Sequence, residues 1–215
     1  ETDDQYLSGN VRDKLAVAEA ATITDPAFAS NVEALRSVQP ADLAANEIDV
    51  RLGASWLPRE DVERFVHDLL GVASGVEVGH VPALGTWYVK GDWDVKRQTA
   101  NTTDWGTDRC SALDLTEDAL NLKTPTVYDL DEDKKPVVNA QATEAAREKQ
   151  ERIKERFKEW IWSDDDRRER LCRLYNDTFN HTRLRTFSGE HLTLPGASPT
   201  ITLQPHQKAG VWRVL

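Results

Sequence analysis

The sequence predicts an α+β fold: a small antiparallel sheet flanked by helices, followed by a long helical hairpin. Three observations predict it. Apolar residues recur at helical spacing over residues 58–70 and 140–162. Short Val, Trp and Tyr runs, broken by Gly75, Gly79, Gly85 and Gly91, fill residues 72–97 and suit short strands joined by turns. Ser163-Asp-Asp-Asp166 follows the second helical stretch, and that capping pattern restarts a helix after a turn.

In chain order, residues 1–7 are acidic and polar and form a lead-in. Ser8 or Asn10 is placed to cap a first helix that carries Val11, Leu15 and Ala18 on one face. Asp25-Pro26 starts a second, striped by Phe28, Val32 and Leu35 and ended by Gln39-Pro40. Residues 48–56 alternate, with Ile48, Val50, Leu52, Ala54 and Trp56 to one side, which predicts a half-buried strand interrupted by Gly53. Pro58 opens the next helix. Glu60 and Asp61 complement its positive end, Val62, Phe65, Val66, Leu69 and Leu70 are its buried face, and Gly71 ends it.

Strands are expected near residues 76–78, 86–90 and 93–96, with Lys90-Gly91-Asp92 as a hairpin turn. That arrangement pairs Trp87 with Trp93 across strands in the core; the alternative is an exposed aromatic strand that stacks bases with Trp87, Tyr88 and Trp93. Residues 98–109 are polar and read as a loop. Thr116 is placed to cap a short helix that ends by Leu122. A strand at 126–130, a turn at 131–136 and Val137-Val138 make a second hairpin. Residues 140–162 form the longest helix, with Ala142, Ala146, Ile153, Phe157 and Trp160 on one stripe and Glu148–Arg152 and Glu151–Lys154 pairs outside. Leu171, Leu174, Tyr175 and Phe179 line the helix after it. Residues 186–200 read as a linker with one short strand at 191–194. Pro205 begins a last helix whose apolar Val211, Trp212, Val214 and Leu215 meet no terminating signal. With Glu1 at the start and no Met, this predicts an excised middle piece of a larger protein.

Charge is uneven. The first 138 residues carry 13 basic and 26 acidic side chains, and the rest carry 14 and 11, within a net charge of −10. The acidity of the first part argues against a general nucleic-acid surface there. Three segments are expected: an acidic α+β domain at 1–138, a charged helical hairpin at 139–187, and a linker with a further domain's start at 188–215. No apolar run approaches the roughly 20 residues that a membrane span needs, so a cytoplasmic protein is expected.

No constellation nominates a catalytic residue or a metal site. His67, His80, His181, His191 and His206 have no metal-ligand spacing, and Cys110 and Cys172 stand far apart and read as buried thiols. The acids Asp129, Asp131, Glu132 and Asp133 lack the Gly and terminal Glu of a calcium loop and read as a solvated turn. Arg167, Arg168, Arg170, Arg173, Arg183 and Arg185 concentrate around the second helix of the hairpin. Arginine forks match phosphate, which makes Arg167, Arg168, Arg173, Arg183 and Arg185 the candidate DNA contacts. The alternative is an ion network with Asp164, Asp165, Asp166 and Glu169 beside them.

Leu203-x-Pro-His-Gln-Lys-x-x-Val-x-Arg-x-Leu215 resembles the segment before the first phosphate-binding loop of Swi/Snf-type superfamily-two helicases. Tyr6-Leu-Ser-Gly-Asn-Val-Arg12, Ile48-Asp-Val-Arg-Leu-Gly53, Trp160-Ile-Trp162 and Tyr175-Asn176 with Phe179-Asn180 extend the likeness upstream. Together these blocks resemble the region between the adenine-specific DNA methyltransferase and helicase parts of large bacterial mobile-element and phage proteins. The resemblance implies that Gln207 recognises the adenine of ATP. It implies ATP with Mg and S-adenosylmethionine as cofactors of the parent, and DNA and the flanking helicase and methyltransferase domains as partners. No phosphate loop or methylation motif lies in the chain, so no cofactor and no catalysis are expected of this piece itself.

Overall fold

The structure, a computed structural model, describes residues 3–187, 189, 192, 193, 195, 196 and 202–214. Its helices are α1 (Asp3–Tyr6), α2 (Val11–Thr24), α3 (Ala29–Ser37), α4 (Arg59–Leu70), α5 (Trp93–Arg97), α6 (Ala112–Leu120), α7 (Ala140–Ile161), α8 (Asp165–Phe179) and α9 (Pro205–Val214). Its strands are β1 (Gly9–Asn10), β2 (Val76–Val81), β3 (Thr86–Gly91), β4 (Tyr128–Leu130), β5 (Pro136–Val138) and β6 (Thr182–Arg183). The fold is α+β. The described strands form three separate antiparallel pairs, β1 with β6, β2 with β3, and β4 with β5. The chain divides into two compact units, Ala44–Arg173 and the joined ends Glu1–Leu43 with Leu174–Leu215. The composition changes after residues 138 and 187 fall inside these units.

The larger unit is organised on α7. Asn139 caps it through the Ala142 amide, and its stripe of Ala146, Ile153, Phe157, Trp160 and Ile161 is buried. That stripe meets the apolar face of α4, where Phe65 sets its ring edge-on to Phe157 at 5.0 Å and to Trp160 at 5.5 Å. Gly71 ends α4 in the left-handed region at φ 66°, where a Cβ is strained. Gln150 is buried on α7 and donates from Nε2 to the carbonyls of Leu115 (3.3 Å) and Lys123 (3.0 Å), tying α7 to α6 and the segment after it.

Two strands suffice for β2–β3 because helix side chains cover the free edges. Asn121 accepts from the Trp87 amide and donates to the Trp87 carbonyl, both at 2.9 Å. Glu117 accepts from the Val89 amide at 2.9 Å, and Glu63 of α4 accepts from the Val78 amide at 3.1 Å. Exposed edges invite further pairing, and here the outward donors of Val78, Trp87 and Val89 are already spent. One expected strand is absent. Residues 48–56 form no strand, although Ile48, Val50 and Leu52 are buried as their alternation predicts. Ala54 and Trp56, expected on the same side, are only half-buried, and Leu57, of the opposite parity, is buried.

Residues 93–96 are helical, within α5. Asp92 caps that helix by accepting from the Val95 amide at 2.9 Å, so Lys90-Gly91-Asp92 ends a strand and is no hairpin turn. The turn lies at residues 82–85 instead, fixed by Val81 opposite Thr86. Trp87 is buried and stacks on His80, its cross-strand neighbour, at 4.4 Å; Trp93 is 68 % exposed and pairs with no strand. The α6 helix starts at Ala112 behind a Ser111–Asp114 capping box. Thr116 is therefore in mid-helix, donating its hydroxyl to the Ala112 carbonyl at 2.7 Å. Within the expected loop, residues 100–104 form a π-helical turn that buried Asn101 anchors to the Leu113 amide at 3.0 Å. Asp164, one residue beyond the expected Ser163, accepts from the Arg167 amide at the start of α8. Of the strand expected at 191–194, residues 191 and 194 lie outside the described residues, and 192 and 193 are in no strand.

The smaller unit has a small apolar nucleus of Ala18, Val32 and Leu35 with Tyr6, Leu7 and Leu15 against it. Phe28, expected in that stripe, is 40 % exposed. Polar side chains complete the unit by gripping backbone. Lys14 donates to the carbonyls of Gln5, Tyr6 and Ser8 at 2.9–3.0 Å. Buried Asn176 accepts from the Leu43 amide at 2.8 Å and donates to its carbonyl at 3.0 Å, and Asn180 donates to Ala41 at 2.7 Å. Gln39 reaches the carbonyls of Val11 and Leu35.

Candidate functional site

The arginine-rich stretch divides between the units. Arg167, Arg168 and Arg173 lie in the larger one and Arg183 and Arg185 in the smaller. Arg167 sits in the first turns of α8, where its guanidinium donates to the carbonyls of Ile161 (3.0 Å) and Trp160 (2.5 Å). Both belong to the last turn of α7, whose carbonyls have no partner within the helix, and the Trp160 carbonyl also accepts from the Ser163 amide and hydroxyl. The same guanidinium lies 3.5 Å from the centroid of the Trp160 ring, a stacking that a planar cation favours. Burial pulls its pKa down from the ordinary value, against the raising influence of Asp164, Asp61 and Asp68. Trp160 in turn donates its indole N–H to Asp68 at 2.5 Å.

Arg168 pairs with Asp165 at 2.8 Å and donates to the Trp162 carbonyl at 3.3 Å. Arg170 reaches Asp61 of α4 at 2.6 Å. Asp61 is buried, and its second oxygen, Oδ2, has no hydrogen-bond partner among the described residues. Its place in the first turn of α4 suggested a dipole-compensating surface group; no spacing in the sequence could have linked it to a residue 109 positions away. Arg173 is exposed and has interactions of its own. Arg183 lies on β6 and donates to the Leu7 carbonyl at 3.3 Å. Arg185 stacks on Phe187 at 4.7 Å and on Trp212 at 5.4 Å.

Gln207 lies in the first turn of α9. Its Oε1 accepts the Gln204 N–H at 2.9 Å while its own N–H donates to the Gln204 carbonyl at 2.9 Å. The side chain thus closes one half of a capping box, and it is exposed. Of the three aromatics considered for base stacking, Trp87 is buried. Tyr88 donates its hydroxyl to Glu77 at 2.9 Å beneath Lys90. Trp93 presents an open indole, with Arg97 4.3 Å from its ring centroid.

No cluster of three or more metal-ligating side chains occurs among the described residues. Cys110 and Cys172 are both half-buried, and burial first of all pushes each thiol's pKa up, with Asp114 and Asp118 adding to the rise at Cys110. No helix among the described residues is long and apolar enough to cross a membrane. A second gathering of cations, around Arg51, Lys123 and Lys158, was not foreseen. Lys154 and Lys158 could have been seen as one row of a helix, but Arg51 and Lys123 join them only through the fold.

Residues 51–181 match the family model described as "Domain of unknown function (DUF8437)". No curated protein and no solved structure matches the chain.

Proposed function

The chain belongs to the DUF8437 family, and we propose that it is a non-catalytic scaffold within a bacterial DNA methylase–helicase, placed between the adenine methyltransferase and the ATP-dependent motor. The observation that carries this over a DNA-gripping role is what Arg167, Arg168 and Arg170 bond to. They close helix ends and pair with Asp165 and Asp61, which leaves fewer forks for phosphate. The α9 helix adds support: it carries Val211, Trp212 and Val214 yet buries none of its residues, a surface suited to a neighbouring domain. On this proposal ATP, Mg and S-adenosylmethionine belong to the flanking domains, and Gln207 meets the adenine only when the motor is attached.

Trp93 beside Arg97 favours the alternative, a module that grips duplex or a displaced strand. One experiment separates the two. Duplex and single-stranded oligonucleotides are titrated into the purified chain at low and moderate salt, beside an Arg168→Ala/Arg173→Ala variant and a Trp93→Ala variant. The scaffold proposal expects no binding and no ATP turnover. Tight binding that weakens with salt and is lost in a variant makes the chain a DNA-gripping module, and ATP hydrolysis by the purified chain rejects the proposed division of labour.

A further inference from the structure

We infer that the cavity between the Arg51 loop, the end of α6 and the outer row of α7 is a binding site for a small phosphorylated ligand. The cavity holds about 370 Å³, within the range of roughly 300–1,000 Å³ that small-molecule sites occupy. Arg51, Lys123, Lys154 and Lys158 line it, against two carboxylates, Glu151 and Glu155. Lys154 is paired with Glu151 at 2.8 Å. Arg51, Lys123 and Lys158 form no ion pair among the described residues. Lys123 acts on the Asp118 carboxyl, so Arg51 and Lys158 are the lining cations without a carboxylate partner among the described residues, and a bound polyanion relieves that local excess of positive charge.

The surrounding backbone is fixed before any ligand arrives. Gly53 sits at φ +85°, and a Cβ there would strike the Leu120 carbonyl, so the loop carrying Arg51 is pressed against the end of α6. Leu122 follows in the left-handed region at φ 58°, a conformation that a γ-branched residue adopts only at a steric cost. It is held there by the Leu122 amide on the Ala119 carbonyl (3.1 Å) and the Lys123 amide on the Asp118 carbonyl (2.7 Å). Gln150 fastens the Lys123 carbonyl to α7. Leu122 is 63 % exposed and lines the cavity with Leu52 and Ala119, offering an apolar wall to the body of the ligand. A cavity of this volume suits a small phosphate or diphosphate ester better than a strand of nucleic acid. This inference does not rest on the scaffold proposal.

The test titrates pyrophosphate, and separately a single-stranded oligonucleotide, into the intact chain by calorimetry. It compares the parent with Lys158→Gln and with Arg51→Gln/Lys158→Gln. Both positions are exposed, and melting curves report whether each variant folds. Pyrophosphate should bind the parent and bind the double variant about tenfold more weakly, the loss expected for charge-assisted contacts. The single variant should fall between them. Absence of binding at millimolar pyrophosphate, or equal binding by folded variants, overturns the inference. So does oligonucleotide binding without pyrophosphate binding, which would give the cations to a nucleic-acid backbone.

Discussion

The two units hold themselves together by different means. Ala44–Arg173 buries a continuous apolar core, with Phe65, Leu115, Leu120, Ile153, Phe157 and Ile161 all fully inside. The unit formed by the chain ends has three residues in its buried cluster and relies on Lys14, Gln39, Asn176 and Asn180 to bind backbone groups. The first arrangement is non-directional and scales with area. The second is directional, and each lost partner leaves a buried polar group unpaired, which costs more than the bond itself contributed. Where apolar residues are few, specificity of hydrogen bonding substitutes for mass of core.

The largest effect expected is at Phe157. Phe157→Ala should destabilise the larger unit by about 3–5 kcal/mol, the usual loss for a buried aromatic, measured by urea unfolding followed by Trp fluorescence. A loss below 1 kcal/mol would break the contrast, because the core would not be continuous through α4 and α7. Next is Asn176→Ala, which strands the Leu43 N–H and C=O. About 2 kcal/mol is expected from such unpaired groups, with accelerated hydrogen exchange at the Leu43 amide. Unchanged exchange there would mean that the smaller unit does not depend on its polar clamps.

Ser111→Ala removes the capping box of α6 and should cost about 1 kcal/mol, read in the same urea titration. It tests whether a single local bond matters in a unit with ample core. The smallest effect is at Asp129. Hydrogen bonds from Arg109 (2.7 Å) and Asn139 (2.6 Å) hold its carboxyl below the usual carboxylate range. Its folded pKa is depressed, so its contribution is present above the unfolded carboxylate value and is lost as pH falls through the lower folded one. The Tm difference between the parent and Asp129→Asn should therefore shrink on acidification through that window. A difference that grows would reverse the sign.

Much of the fold was legible in the sequence, and the misses share a cause. The α4 and α7 stripes, Asn10, Gly71 and the β4–β5 hairpin were all readable, because caps, helical periodicity and turn chemistry act within a few residues. At residues 48–56 the alternation gave Ile48, Val50 and Leu52 as inward side chains but not their pairing state. Glu63, Glu117 and Asn121 occupy edge donors of β2–β3, and nothing local to 48–56 records that. Trp93 was placed in a strand because its aromatic neighbours suggested one, while Asp92 was already positioned to cap a helix. The site was less legible. The arginines were visible as a cluster along the chain, but their partners, Asp61 and the α7 carbonyls, were not. The cations of the α6–α7 cavity come from three separate stretches.

The sequence by itself determined the α+β class, the limits of α4 and α7 and which of their faces are apolar, since short-range sterics and hydrogen bonding act on neighbouring residues. Only the tertiary structure decided that Arg170 meets Asp61, that Asn176 grips Leu43, and that Arg51 and Lys158 share a cavity. Those pairings depend on which burial and hydrogen-bonding partners remain available once the core has closed, a condition set by the whole chain at once.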